Sequence, residues 1–328
     1  MTRLIILKTT EPQFNLAAEE YIFSQTADSA VILWQNKNAV IIGRNQNTLS
    51  EINQEVIEKH GISVVRRITG GGAVFHDLGN INYSIIAPQG EDGALNFKKF
   101  AAPIVEILSE LGVKAEFSGR NDLLIDGRKI SGNAQHISDG RVLHHGTLLF
   151  SSDLDRVSEV LTVDPEKIRS KAIPSVRSRV TNIKDHLPNG ADLDADGFIR
   201  LMEKYFIENT DCEFSDLSDN ELRAIEALSE SKYRTWQWNY GNSPKYSLCR
   251  KEYLPCGTVE VSLGVVNGKI NEAAIYGDFF SVRPKEEFVS LLIGTEHSKQ
   301  AICALLEKIN ISDYFVGACA DDLIKCFF

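Results

Sequence analysis

Three groups of residues in this sequence have the types and spacing to do chemistry. The first is Arg66-Arg67-Ile68-Thr69-Gly70-Gly71-Gly72-Ala73-Val74-Phe75-His76-Asp77. Adjacent guanidiniums can grip phosphate or carboxylate oxygens in bidentate forks. Consecutive glycines let backbone N–H groups approach a ligand with no Cβ in the way. Together they form a candidate anion cradle. Glycines alone suit a tight strand-to-strand turn equally well, and it is the arginines on their edge that favour a ligand. The loop is not a P-loop, because no Gly-Lys-Ser/Thr follows. It is not a dinucleotide fingerprint either, because the G-x-G-x-x-G spacing and the following helix are missing.

The second group surrounds Lys129. Leu123-Leu124-Ile125 and Arg128-Lys129-Ile130 flank Asp126-Gly127, a pairing that calls for a type I′ hairpin turn. Lys129 then stands on a strand just after the turn, with Arg128 and Ile130 on the other face. An ammonium held by a strand is placed more firmly than one on a loop, and Ser131-Gly132-Asn133-Ala134 leave room beside it. Just upstream, Gly119-Arg120-Asn121-Asp122 offers a carboxylate and an amide that could meet a hydrated Mg²⁺ or a purine edge. An Arg–Asp pair capping a strand end would look the same.

The third group is His144-His145-Gly146-Thr147 on an apolar strand. Alternation sends the two imidazoles to opposite sides, so they cannot ligate one metal as a pair. One can line a pocket while the other packs or is solvated. His76 and Asp77 are chain neighbours and so do not face each other. No Gly-x-Ser-x-Gly or His-Glu-x-x-His motif is present.

The elements that must position these groups follow from periodicity. Ala30–Trp34, Ala39–Gly43, Ile62–Arg66 and Asn80–Ala87 read as strands. Phe14–Ile22 and Glu51–His60 read as helices. So does Asn96–Leu111, in which Phe97, Phe100, Ile104, Leu108 and Leu111 recur at helical spacing before Gly112. Asp139-Gly140 makes a second hairpin and Asn267-Gly268 a third. Val163–Asn182 has little periodicity and carries five basic residues, the pattern of a basic surface loop with a short helix. Ile199–Phe206 and the stretch near Asn220–Leu228 read as helices. Glycine, asparagine and proline cluster in Trp236–Pro244, as in linkers. The expected division is residues 1–247 as a catalytic, mixed-sheet α/β domain and 248–328 as a small α+β accessory domain.

Composition narrows the function. The 328 residues are 43% hydrophobic and 24% charged, which fits a packed globular protein. A net charge of −10 argues against nucleic acid as a partner. No apolar run approaches the roughly 20 residues that span a bilayer, and the first apolar run is too short for a secretory signal. The six cysteines form no C-x-x-C pair and read as reduced thiols in a cytoplasmic protein. A monomer is the default expectation.

Taken in order, these motifs closely resemble the lipoate–protein ligases, which belong with the biotin protein ligases and class II aminoacyl-tRNA synthetase cores. The resemblance is carried by Arg66–Ser84, Gly119–Leu123, R-K-I-S-G-N-A at Arg128–Ala134, H-H-G-T-L-L at His144–Leu149, and S-V-R-S-R-V-T-N-I at Ser175–Ile183. It spans nearly the whole chain, linker and C-terminal domain included. It implies that lipoate and ATP, with Mg²⁺, give lipoyl-AMP and pyrophosphate. The lipoyl group then passes to a lysine on a lipoyl domain of a 2-oxoacid dehydrogenase complex or on the glycine-cleavage H protein. It further implies that Arg67 and the backbone of Gly72, Ala73, Val74 and Phe75 hold ATP and then the adenylate. Lys129 touches the lipoate carboxylate and the α-phosphate and is the catalytic residue. Gly71, His76 and His145 line the lipoate site, where octanoate is an alternative occupant, and Asn121 and Asp122 are the Mg²⁺ or adenylate contacts.

Three rivals share parts of this pattern. Octanoyl- and lipoyl-transferases use a cysteine thiol and no ATP, yet the motif-bearing region contains no cysteine before Cys212. Biotin ligases carry a different arginine-glycine loop. A non-catalytic lipoate-binding protein would have little use for an intact Lys129.

Overall fold

The computed structural model describes residues 1–90, 95–119, 121–161, 180–188, 192–240, 248–266 and 268–328. The expectations for Arg120, for 163–179 of the basic loop, for 241–247 of the linker and for Asn267 lie outside these residues. The chain divides into two units. The larger comprises Met1–Ile41, Leu49–Arg66 and Val74–Asn239, and the smaller Ile42–Thr48, Arg67–Ala73 and Tyr240–Phe328. The first half of the glycine motif thus groups with the C-terminal part of the chain.

The larger unit is built on a mixed sheet of β1 (Thr2–Ile6), β2 (Ala30–Trp34), β6 (Asn80–Pro88), β7 (Glu116–Ser118), β8 (Asp122–Ile125), β9 (Arg128–Ser138), β10 (Arg141–Leu149) and β11 (Cys212–Phe214). Their order is β11-β1-β2-β6-β10-β9-β8-β7. β1 runs parallel to β2 and β11, and the pairs from β2 to β7 are antiparallel. Three short strands, β3 (Ala39–Ile42), β4 (Ser63–Arg66) and β5 (Val74–His76), form a second sheet in the order β4-β3-β5.

One face of the large sheet packs on two helices, Phe97–Glu110 and Ala195–Asn209. Ile104, Ile107, Leu108, Phe198, Met202 and Phe206 bury against Val31, Leu33, Ile81 and Leu148. Each such side chain contributes about 1.5–3 kcal/mol of burial free energy. The first of these helices starts where expected, since Asn96 Oδ1 accepts from Lys99 N at 3.0 Å.

Both aspartate–glycine hairpins take the left-handed turn that a type I′ geometry needs. φ is 50° and 75° at Asp126 and Gly127, and 51° and 71° at Asp139 and Gly140. The expected single helix over Glu51–His60 is instead two, Thr48–Glu51 and Gln54–His60. Ile52 forms an antiparallel bridge with Leu161, and Asn53 donates its N–H to Val160 O and caps the second helix. Tertiary pairing overrides helix propensity there.

The smaller unit holds an antiparallel sheet of β12 (Leu248–Leu254), β13 (Gly257–Val266) and β14 (Lys269–Gly277). Val259, Val261, Ile275, Phe279, Phe288 and Phe315 form its core. Among the described residues no helix is long and apolar enough to cross a membrane.

Candidate active site

His144 and His145 are built into opposite faces of β10, and the two faces differ in character. His144 is fully buried and stacks on Phe100 with ring centroids 5.4 Å apart. The Gln135 amide Nε2 lies 2.9 Å from its Nδ1, and Tyr83 Oη lies 3.3 Å from its Nε2. Tyr83 Oη donates to Asn133 Oδ1 at 2.5 Å, so its oxygen is left to accept from the ring. These are the needs of a neutral imidazole. Burial, then the charge of His145, holds the His144 pKa well below 6.5. Gly146 is required beside them, because a Cβ there would sit 2.3 Å from Asn133 Oδ1 and 2.5 Å from the Tyr83 ring.

His145 faces the other way. Its Nδ1 lies 2.8 Å from Glu19 Oε1, which also accepts from Ser84 Oγ at 2.6 Å. Trp34 Nε1 donates to the same hydroxyl at 3.0 Å. Glu19, only 1% exposed, was missed in the sequence. The available signal was Asn15 and Glu19, four residues apart on the stripe of helix Pro12–Gln25 that buries Leu16, Ile22 and Phe23. Asn15 Nδ2 donates to Asn36 Oδ1, and Asn36 Nδ2 lies 3.1 Å from His76 Nδ1. His76 is also edge-on to Trp34. Phe75 pairs with Val40 and is buried, while Val74 is half-buried.

Lys129 reaches the His145 face through an irregularity. β8 pairs Asp122 with Gly132 and Leu123 with Ser131, then shifts to Leu124 with Lys129. Ile130 is the extra residue of a β-bulge and is buried in the core. The bulge reverses alternation, so Lys129 shares the side of Gly132 rather than that of Ser131 and Asn133. A Cβ on Gly132 would lie 2.8 Å from Lys129 Nζ. Thr147 Oγ1 accepts from Gly132 N on the neighbouring strand. The ammonium, 35% exposed, pairs with Asp122 Oδ1 at 2.8 Å. Lys129 O accepts from Thr181 N at 3.0 Å, so the described end of the S-V-R-S-R-V-T-N-I motif clamps the strand at this residue. Asn121 turns inward: its Nδ2 donates to Asn133 O at 2.6 Å, and its carbonyl accepts from Asn133. Among the described residues no three His, Cys, Asp or Glu side chains gather as a metal cage.

The arginines of the glycine motif do not act as an adjacent pair. Arg66, in the larger unit, donates to Trp238 O and Asn239 O. Arg67, in the smaller unit, is buried and folds over its own loop, donating to Thr69 Oγ1 at 3.0 Å, Gly70 O at 2.7 Å and Gly72 O at 2.9 Å. The three glycines also have different duties. Gly70 abuts Phe279 O, 2.6 Å from where its Cβ would be, and Gly71 has φ of 92° and faces the Phe280 ring. Only Gly72 has nothing within 4 Å of a Cβ position; it is the glycine left open to a ligand.

Cys212, the sole cysteine of the larger unit, sits on β11, the sheet edge remote from β9. Burial raises its pKa, so its thiol is neither placed nor activated as a nucleophile.

The larger unit thus carries a strand-borne ammonium beside small residues, and the smaller unit a glycine loop shaped by its own arginine, each a feature suited to an anionic ligand. Residues 11–207 match the family described as the lipoyl protein ligase A/B catalytic domain, and residues 243–327 match the bacterial lipoate protein ligase C-terminus. The chain is 40% identical to lipoate-protein ligase LplJ of Bacillus subtilis strain 168, over 97% of each chain. Among solved structures it is similar to the bipartite lipoate protein ligase of Thermoplasma acidophilum, studied with its E2 lipoyl domain. There the TM-score is 0.66 at 31% identity, covering 75% of this chain and 99% of that one. It is also similar to lipoate-protein ligase A bound with ATP, with a TM-score of 0.62 at 28% identity, covering 73% and 98%. The chain therefore belongs to the lipoate–protein ligases, and with them to the ligase class of enzymes. The expected α/β mixed-sheet fold and the family resemblance both hold.

Proposed function

We propose that this chain joins lipoate to ATP as lipoyl-AMP, releases pyrophosphate, and passes the lipoyl group to a lysine ε-amine of a lipoyl domain or of the glycine-cleavage H protein. The observation that carries this reading is the bulge at Ile130, which turns Lys129 onto the face that also bears Gly132 and His145. A carboxylate attacking the α-phosphorus of ATP brings two anions together, and a fixed ammonium between them lowers that barrier. Lys129 is the catalytic residue in this reading. Asp122 holds the ammonium in place until a substrate anion competes for it.

The remaining assignments follow the family motif. Arg67 and the backbone of Gly72, Ala73, Val74 and Phe75 hold the nucleotide, Arg67 by fixing the loop's carbonyls and Gly72 by its open approach. Gly71, His76 and His145 serve the lipoate site, with Glu19 orienting the His145 ring. Mg²⁺ fits as an ion that arrives with the ATP phosphates and keeps most of its water. Asp122 is the carboxylate that would hold it, and when bound the ion would neutralise phosphate charge. Asn121 is the lesser candidate, since its amide already serves Asn133. The six free thiols fit a reaction in the cytoplasm.

The test is an ATP-dependent lipoylation assay run in parallel on purified H protein and on a dehydrogenase lipoyl domain. Modification of at least one acceptor, dependent on both lipoate and ATP, is expected. Transfer from an acylated carrier protein without ATP would overturn the reading in favour of a transferase.

A further inference from the structure

The smaller unit carries a packing relation with consequences for nucleotide use. β14 ends at Gly277, and Asp278, Phe279 and Phe280 follow it as a shelf. Gly277 N donates to Asn45 O at 2.9 Å, and Asn45 Nδ2 donates back to Phe279 O at 3.3 Å. Lys285 Nζ donates to Ile275 O at 2.8 Å and reaches Asn45 O at 3.4 Å. Gly70 lies on this shelf so closely that a Cβ would come within 2.6 Å of Phe279 O and 3.1 Å of the Phe280 ring. Gly71 faces the same ring at 3.4 Å. Behind the loop, Arg44 N donates to Thr69 O at 2.8 Å. A Cβ on Gly43 would overlap Gly71 O at 1.9 Å.

The loop is thus gripped from two sides. Arg67 ties Gly70 O and Gly72 O together from within, and Phe279–Phe280 bear on it from without. The shelf is itself rigid: Phe279 and Phe280 are 0% and 1% exposed, Phe279 packs on Phe315 with centroids 4.7 Å apart, and Phe280 O accepts from Val316 N at 3.0 Å. No ligand contact is needed for these residues to matter. They set the backbone shape from which Gly72 is presented.

We infer that Phe280 and Asn45 are positioning residues for the nucleotide, coupling the C-terminal core to ATP binding through the shape of the glycine loop. This rests on the reading that the glycine loop holds ATP, and it adds residues that touch no substrate. Preorganised backbone donors lose their effect when the loop can relax away from the bound geometry.

The experiment compares the full chain with Phe280→Ala, Phe280→Leu and Asn45→Ala. Lipoate-dependent pyrophosphate–ATP exchange gives the KM for ATP, and calorimetric titration of lipoate alone gives its affinity. Phe280→Ala is expected to raise the KM for ATP about tenfold or more. Lipoate affinity, to which Gly71 contributes alongside His76 and His145, should fall by a clearly smaller factor, about threefold or less, and Phe280→Leu should recover most of the loss. Asn45→Ala should move the same parameter in the same direction by a smaller factor. Equal loss of ATP and lipoate binding, or an unchanged KM for ATP in folded Phe280→Ala, would overturn the proposal. If Phe280→Ala does not fold, Phe280→Leu and Asn45→Ala decide by the same split. Absence of exchange in the unaltered chain would instead sink the parent reading, so the two failures are distinguishable.

Discussion

The Lys129 strand and the glycine loop place charge and backbone by opposite means. β9 is regular sheet with one defect, and that defect aims the Lys129 side chain. Everything else there is fixed by register: Gly132 against Asp122, and His145 against Ala134. The glycine loop has no register to rely on. Its shape comes from a buried guanidinium, a carbonyl shelf and two glycines, Gly70 and Gly71, where a Cβ is not accommodated. A strand site therefore tolerates changes that leave the ladder intact, whereas a tethered loop has few neutral positions.

The comparison can be broken or sharpened at four points. Lys129→Ala should give the largest effect, lowering lipoate-dependent exchange by about 10²–10³-fold or more. Melting should be nearly unchanged, because Asp122 is left partly solvated. A folded variant with near-normal lipoyl-AMP formation would remove Lys129 from the chemistry. Gly132→Ala comes next. The new Cβ meets the flexible end of Lys129 at 2.8 Å, so the ammonium shifts while the strand survives. A loss of about 10- to 100-fold in exchange is expected, read against an unaltered circular dichroism spectrum.

Third, the glycines should separate by stability. Gly43→Ala and Gly70→Ala force backbone contacts apart and should each destabilise the smaller unit by about 3 kcal/mol. Gly72→Ala should cost less than about 1 kcal/mol yet still weaken ATP binding. Equal melting losses at Gly70 and Gly72 would refute the division of duties.

The smallest effect concerns His144, which stays neutral when folded. The unfolded chain binds the proton near pH 6.5 and the folded chain does not, so stability falls as pH drops below that value. The difference in unfolding free energy, wild type minus His144→Gln, should fall by about 1.4 kcal/mol per pH unit between roughly pH 6 and 5. A flat difference would mean that the folded ring titrates normally.

Much of this was legible in the sequence because it depends on local chemistry. Aspartate–glycine turns, the Asn96 cap and the alternation that splits His144 from His145 all follow from neighbouring residues. What escaped depends on partners far along the chain. K-I-S-G-N reads as unbroken alternation, and only pairing with β8 makes Ile130 a bulge. Alternation alone sets Lys129 opposite Ile130, but its sharing a side with Gly132 follows only from the register shift against β8. Glu19 looks like an ordinary polar residue of a helix until Ser84 and His145 arrive beside it. The arginines and glycines of the loop were read as one cradle. Their separate duties come from Phe279, Phe280 and Asn45, more than 200 residues apart in one case.

The most direct test of the central claim, that this chain forms an acyl-adenylate, is pyrophosphate–ATP exchange measured with no acceptor protein present. Exchange that requires lipoate and disappears in Lys129→Ala is the expected result. Lipoylation of an acceptor by a chain that shows no lipoate-dependent exchange would contradict it.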